Sequence, residues 1–372
     1  MRTLRRLGQA LLILLVLILV PTIFGAGRAS FSCKVFGGGP SAENARSGST
    51  AAGPASYARR EDQTYLTLPE WYIVYSADEY AAFLAQNRPS GFPYFQAVMQ
   101  FWDAYNDVCM VVRDRYPVNS QYQLTLMVIG TSFTAENVFK GLYENTIGRI
   151  SEWTSDGRPT PEEEYGQRVA AEYGAFIHTI PWYEFPFREK LAGLWRLDFG
   201  GPNSIRRLER RFALTLEYGI KTGYGWLIGL GTSSTFAPDD ETIVVRAEGI
   251  SQDLLNREPR VRIVESLEGG PPLVSLPRFQ ALTVLLPRLV GQGVRFTEIA
   301  GNDEVMVTAV APRGWRPDTG PAQHLFSLPI LTQPERDRVA LRVPVAGLHT
   351  VIIDLTRQQA SRRVTFEHVY DY

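Results

Sequence analysis

Apolar and polar positions follow two different periods along this chain, helical and two, after a stretch with neither, and these changes divide it. Residues Leu7 to Gly27 form an uncharged run in which Ala10 to Val20 are almost entirely Leu, Ile and Val. No helical or strand periodicity modulates it, which is the pattern of a segment that apolar solvent surrounds. Arg2, Arg5 and Arg6 precede the run, and Pro21 interrupts its end. A signal-peptide core needs about 7–15 apolar residues and a spanning helix about 20, so the length favours an uncleaved anchor. The small residues Gly25, Ala26, Gly27 and Ala29 keep a signal-peptidase site in play as the alternative. In either case the arginines hold the N-terminus in the cytoplasm and the rest is translocated.

Periodicity then vanishes. From Gly37 to Gln63 the chain is rich in Gly, Ser, Ala and Pro, which predicts a disordered tether. Helical spacing resumes at Thr64 and continues to Ala237. Ser76 with Glu79 reads as a capping box opening a short helix through Leu84. Further helices are expected over Phe92–Arg115, from Asn119 or Ser120 to Trp153, from Thr160 to His178, and over Asn203–Thr235. Within the second of these, Leu124 to Ala135 carries no charge on any face and predicts a buried core helix. Thr160, Pro161 and the three glutamates Glu162 to Glu164 form a strong N-terminal signal.

The stretch from Asn203 opens on Arg206, Arg207, Arg210 and Arg211 and becomes glycine-rich. Gly219 with Gly223, and Gly225 with Gly229, recur four apart, a spacing that admits close approach of a neighbour. Glu217 and Lys221 extend the second row as an i,i+4 ion pair. Those charges, and arginines on the outer side of an N-in anchor, speak against a second span.

After Pro238 the period falls to two. Strands are expected at Thr242–Ala247, Val261–Ser266, Val294–Ala300, Val305–Val310, Leu325–Ile330, Val339–Val343 and Val364–Tyr370. Helices are expected at Leu276–Val290 and Val345–Gln358, although Val351, Ile352 and Ile353 also suit a strand. Gly301-Asn302-Asp303 reads as a hairpin turn. The fold class is therefore α+β: an all-α domain followed by a ferredoxin-like α+β sandwich with extra strands. The domains are 1–36 (signal anchor), 37–63 (linker), 64–237 (helical) and 238–372 (ferredoxin-like).

Composition narrows the function classes. With 38 basic and 39 acidic residues the net charge is -1, so no basic excess tracks phosphate and nucleic-acid binding is not expected. The two cysteines, Cys33 and Cys109, make neither a disulfide framework nor a metal knuckle, and they are not expected to pair with each other. Ser30-Phe31-Ser32 before Cys33 lacks the aliphatic residue of a lipidation box. Phosphate-binding glycine loops and a serine-nucleophile elbow are absent. The four histidines occur in no H-x-x-x-H or E-x-x-H spacing, so no metal or cofactor is expected.

Two aromatic segments remain, Leu68–Tyr75 and Ile180–Phe187. Trp71, Tyr72, Trp182, Tyr183 and Glu184 are the candidate ligand-binding residues, with mutual packing of the rings as the structural alternative. No catalytic residue is assigned. An enzyme would have to draw on Glu136, Glu144, Glu172, His178 or Glu184. The expectation is a single-pass membrane protein, held through residues 7–27, with its bulk extracytoplasmic (periplasmic in a Gram-negative cell). It would be non-catalytic and would bind a protein partner or organise a complex. Carriage or sensing of an apolar ligand or lipid through the aromatic segments is the first alternative, and the enzyme is the second.

Overall fold

The computed structural model describes residues 2–34, 62–232, 242–267, 269–317, 320–361 and 363–370. Most of the expected tether, 37–61, lies outside the described residues; Asp62 and Gln63 already belong to a helix. The chain forms two compact units. The first comprises Met1–Thr22, Trp71–Met99 and Gly130–Ala237, and the second Ile23–Glu70, Gln100–Ile129 and Pro238–Tyr372. The division falls inside four helices: α1 (Arg2–Ser32), α2 (Asp62–Leu84), α3 (Tyr94–Val112) and α4 (Ser120–Tyr143).

The second unit is α+β. It carries the strands β1 (Thr242–Glu248), β2 (Arg262–Glu265), β3 (Leu273–Pro277), β4 (Arg295–Ile299), β5 (Glu304–Pro312), β6 (Gln323–Pro329), β7 (Arg336–Pro344) and β8 (Thr365–Tyr370). Three helices, α9 (Gln252–Arg257), α10 (Gln280–Gly291) and α11 (Leu348–Ala360), accompany them. The strands make two antiparallel sheets of four, ordered β2-β3-β1-β4 and β6-β7-β5-β8, where the sequence suggested one widened sheet. Both sheets share one internal order: second, third, first, fourth strand. Gly301-Asn302-Asp303 is therefore a passage between sheets, in which Asn302 makes an isolated bridge back to Ile299 of β4. One apolar core runs through both sheets with α10 and α11, from Ile243 and Val245 through Leu285, Leu286 and Leu289 to Leu341, Ile352 and Val369. Alternate residues of the strands enter it, which is why period two was readable there.

Three helix ends complete this unit. Thr64 Oγ1 donates to the Tyr370 carbonyl at 2.7 Å and accepts from Met306 N–H, so the start of α2 caps the second sheet. Gln100 on α3 donates to the Pro329 carbonyl at 2.6 Å. The end of α1 is bound more firmly. Cys33 and Cys109 form a disulfide that joins positions 76 residues apart, against the expectation that they would stay separate. Arg28 pairs with Asp103 and Lys34 with Asp114, each at 2.6 Å, and Ser32 Oγ donates to Asn106 at 2.7 Å. A Cβ on Gly25 would stand 2.3 Å from the Trp102 ring, so only glycine lets α1 lie on that indole. The end of the apolar run is thus fastened to the folded body before the Gly/Ser-rich stretch begins, and that stretch joins α1 to α2.

The first unit is helical. Besides the remaining parts of α1 to α4, it contains α5 (Arg149–Trp153), α6 (Pro161–Ile177), α7 (Phe187–Trp195) and α8 (Ser204–Thr232). A π-turn, Glu144–Gly148, joins α4 to α5 so that the helix predicted to Trp153 continues with one widened turn. The helix start expected at Thr160 is present, and Thr160 and Glu163 close a capping box there. α2 is one helix that absorbs Pro69, where Ser76 was expected to open a new one.

Candidate functional site

α8 places its residues in an unusual order. At about 100° per residue, Arg206, Arg207, Arg210, Arg211, Glu217 and Lys221 share one side of the helix. All four arginines are buried. The opposite side carries Ile205, Leu208, Phe212, Leu216, Ile220 and Leu227, each 50–65% exposed. The helix is amphipathic, as the sequence implies, but its polar face is the inner one.

Most donors of the buried face have partners, and Arg211 Nη1 is buried without a hydrogen bond among the described residues. Arg206 donates to Glu163 (2.7 and 3.0 Å), Glu209 (3.0 Å), Glu152 (3.2 Å), Ser151 Oγ (2.7 Å) and the Gly148 carbonyl (2.9 Å). Arg207 grips both oxygens of Glu162 at 2.9 and 3.2 Å and donates to the Gly200 and Asp198 carbonyls. Arg210 binds Glu144 two-pronged, at 2.9 and 3.0 Å, and also Glu209. Arg211 donates to Glu162 at 2.6 Å and lies 3.9 Å above the Phe199 ring. Planar guanidinium groups suit such buried forks because their donors are fixed in the plane that a carboxylate offers. The π-turn carries Glu144 to Arg210 and the Gly148 carbonyl to Arg206, so the widened turn and the arginine cluster belong together. One turn further along α8, Glu217 and Lys221 close a four-membered ring with Glu136 and Lys140 of α4, at 2.7 to 3.4 Å.

These contacts decide what the cluster can do. Five carboxylates (Glu144, Glu152, Glu162, Glu163 and Glu209) surround four guanidinium groups, so at every donor hydrogen-bonded to one of them an incoming anion would have to displace a carboxylate; Arg211 Nη1 is not so held. Four of the five side chains that an enzyme would draw on are committed, each to a different cation or acid: Glu136 to Lys140 and Lys221, Glu144 to Arg210, Glu172 to Lys190, and His178 to Asp78 at 2.6 Å; the fifth, Glu184, is on the surface. Among the described residues no three His, Cys, Asp or Glu side chains are grouped as metal ligands.

The aromatic candidates all belong to this unit. Trp71 and Tyr72 are buried; Trp71 meets Tyr75 and His178 at ring-centre distances of 6.1 Å each. Tyr72 lies edge-on to Phe133 and donates its hydroxyl hydrogen to the Ala97 carbonyl. Trp182 and Tyr183 are half-buried in a short turn, Trp182–Glu184, with Trp182 5.3 Å from Tyr224 of α8. Glu184 is exposed. Phe185 and Phe187 pack with Val169 and Tyr218 into a small core of their own. Of the two glycine rows on α8, only Gly225 meets a neighbour closely: a Cβ there would be 3.1 Å from the Tyr183 carbonyl. What approaches is this turn, not a helix.

The uncharged centre of α4 differs from its expectation. Leu126 is buried, but Leu124 and Val128 are more than half exposed. Lack of charge therefore did not mean burial on all sides. α1 is the one described helix long and apolar enough to cross a membrane by composition, with a mean hydropathy of 1.6 over Leu15–Ser32. Comparison with known protein families, with curated proteins and with solved structures finds no match for the chain.

Proposed function

We propose that this chain is a membrane-anchored protein, N-terminus in the cytoplasm and bulk outside it, that binds a protein partner or organises a complex without catalysing a reaction. The Cys33–Cys109 bond carries the reading, because disulfides persist in oxidising compartments and this one fastens the end of the apolar helix to the body. The packing of Gly25, Ala29 and Cys33 against that body also favours a retained anchor over a peptidase site at those small residues. Commitment of Glu136, Glu144, Glu172 and His178 to separate ion pairs supports a non-catalytic role. The same order of strands in both sheets supports the ferredoxin-like reading of each. Ring-on-ring packing of Trp71, Tyr72 and Trp182 favours a structural task for them over an apolar-ligand site.

The test uses the full chain with a tag at each end. Protease added from the extracytoplasmic side should remove the C-terminal tag and spare the N-terminal one. Detergent-solubilised membranes should yield a stoichiometric partner on pull-down. Loss of the N-terminal tag, or recovery of no partner above background, would overturn the corresponding half of the proposal.

A further inference from the structure

We infer that the exposed apolar face of α8 lies against lipid acyl chains, so that the helical unit is immersed in the bilayer beside α1 and not held in the water outside it. The inference goes beyond the reading of the chain as a singly anchored protein and requires no protein partner.

The first argument is the inversion of α8. A helix on a water-soluble body turns its charges out and its apolar stripe in. Here the charged side is buried among carboxylates and the apolar side is open. Such an arrangement in water would expose one continuous hydrocarbon stripe while withholding four guanidinium groups from hydration. In hydrocarbon both choices lower the free energy, because a charge inside a bilayer must be paired within the protein. Glu209 is the one charged residue within the apolar arc, and its carboxylate folds back onto Arg206, Arg210 and Ser151, leaving its side chain 8% exposed.

Length is the second argument. Ile205 to Leu227 covers about 33 Å at the helical rise, against about 30 Å of bilayer hydrocarbon. Exposed tryptophans mark both ends: Trp226 at one, and at the other Trp153, the neighbour of the Glu152 that pairs with Arg206. Tryptophan is enriched at the two membrane interfaces, where its ring is half in hydrocarbon. Gly219 and Gly223 lie on the same face with open space before them, so no part of the described chain covers it.

The third is continuity. The part of α1 up to Thr22 belongs to this same unit, and its Leu15, Val16, Leu17, Leu19 and Val20 are exposed. A unit that contains a membrane-spanning helix is already at the depth where an apolar stripe of bilayer length is covered. The two objections from sequence lose their force here. Mean hydropathy averages both faces of α8 and hides an outer one that is apolar except for the paired Glu209. The arginines are neutralised by carboxylates, so they do not act as the free positive charges that orient a span.

The test is a depth profile of the full-length protein in phosphatidylcholine–phosphatidylglycerol vesicles. Because Cys33 and Cys109 are disulfide-bonded, single substitutions Ile205→Cys, Phe212→Cys, Leu216→Cys and Leu227→Cys accept a nitroxide selectively, with Asp253→Cys as the water-facing reference. Collision with oxygen should rise and collision with a water-soluble nickel chelate should be lost along the stripe. The extreme should fall at Leu216→Cys and the ends should lie nearer the reference. Nickel accessibility equal to that of Asp253→Cys at all four positions would overturn the inference. So would spin–spin broadening at Leu216→Cys that disappears on dilution with unlabelled protein, since a second copy would then cover the face. The unmodified chain supplies a measurement independent of the variants. An acyl-chain photoprobe should label α8 peptides as well as α1, and labelling confined to α1 would also overturn it. Neither readout depends on the pull-down or on the protease assay.

Discussion

The two units solve the same packing problem with opposite faces. In the α+β unit, β5 and β7 bury runs of Val, Ala and Leu between sheets and helices, Asp253 and Arg257 stay outside, and the charges that are buried, such as Arg278, Glu298 and Arg338, are dispersed over several elements. In the helical unit, the longest amphipathic helix buries four arginines and leaves six large apolar side chains uncovered. Burial is a statement about the solvent as much as about the residue. A fold places outward whatever its surroundings solvate, so the contrast points to two different surroundings for two parts of one chain.

The largest expected effect attacks the inverted face. Arg206→Leu leaves Glu163, Glu152 and Glu209 without their shared cation, and breaking one side of a buried ion pair typically destabilises by about 3–5 kcal/mol. Hydrogen exchange read by mass spectrometry should show protection lost through α5, α6 and α8, while the strands of the α+β unit keep theirs. Equal loss in both units would mean that they unfold as one and would remove the contrast.

A matched pair of truncations comes next. Leu341→Ala, at a fully buried position of β7, should lower stability by about 2–5 kcal/mol through lost contacts and a cavity. Leu208→Ala on the open face of α8 should change it by less than about 0.5 kcal/mol in detergent. Denaturant titration followed by intrinsic fluorescence compares the two. A large effect at Leu208 would show that this face is covered by protein.

Reduction of the disulfide ranks third. Cys33→Ser with Cys109→Ser should cost about 2–4 kcal/mol, in the α+β unit, by releasing a long loop in the unfolded chain. Gel mobility with and without reductant, followed by exchange at the end of α1 and the adjoining part of α3, tests both the bond and its place.

How much of this was legible beforehand follows from how local each feature is. The α+β class and seven of the eight described strands after Pro238 were readable because period two survives wherever one face of a sheet is buried; β3 was not, since Leu276 and Pro277 at its end read as the start of a helix. The helix start at Thr160 was readable because Thr160, Pro161 and the three glutamates that mark it are adjacent in sequence. Pairing of Cys33 with Cys109 was not, since nothing near either cysteine refers to a position 76 residues away. The inversion of α8 was half legible. The spacing of Arg206, Arg210, Glu217 and Lys221 against Leu208, Phe212, Leu216 and Ile220 defines two faces, but spacing alone does not say which is inner. The carboxylates that decide it come from α4 to α6 and the π-turn. The candidate aromatic residues had no such ambiguity of face. Their roles turned on which rings met, and that is set by tertiary packing.

The smallest effect concerns a charge in the α+β unit, where burial is conventional. Glu304 begins β5 and accepts hydrogen bonds from Arg115 (2.8 and 3.2 Å), from the Tyr65 hydroxyl and from the Tyr116 hydroxyl at 3.2 Å. Burial alone would raise its pKa; the hydrogen bonds from Arg115 and Tyr65 and the charges of Arg115 and Arg342 outweigh it and hold the carboxyl below its ordinary value of 4.5. A carboxylate depressed in the folded state stabilises that state above the unfolded pKa. The contribution is therefore complete at neutral pH and fades as pH falls below 4.5 through the folded-state value. Glu304→Gln keeps the shape and removes the charge, so it should lose about 1–2 kcal/mol at pH 7 and proportionately less in acid. Stability measured across that window by denaturant titration should bring wild type and variant together as the pH drops. If the gap stays constant with pH, the shape of this knot matters and its charge does not. Even the conventional unit would then hold its helix ends by packing, and its contrast with the ion-paired helical unit would be the sharper for it.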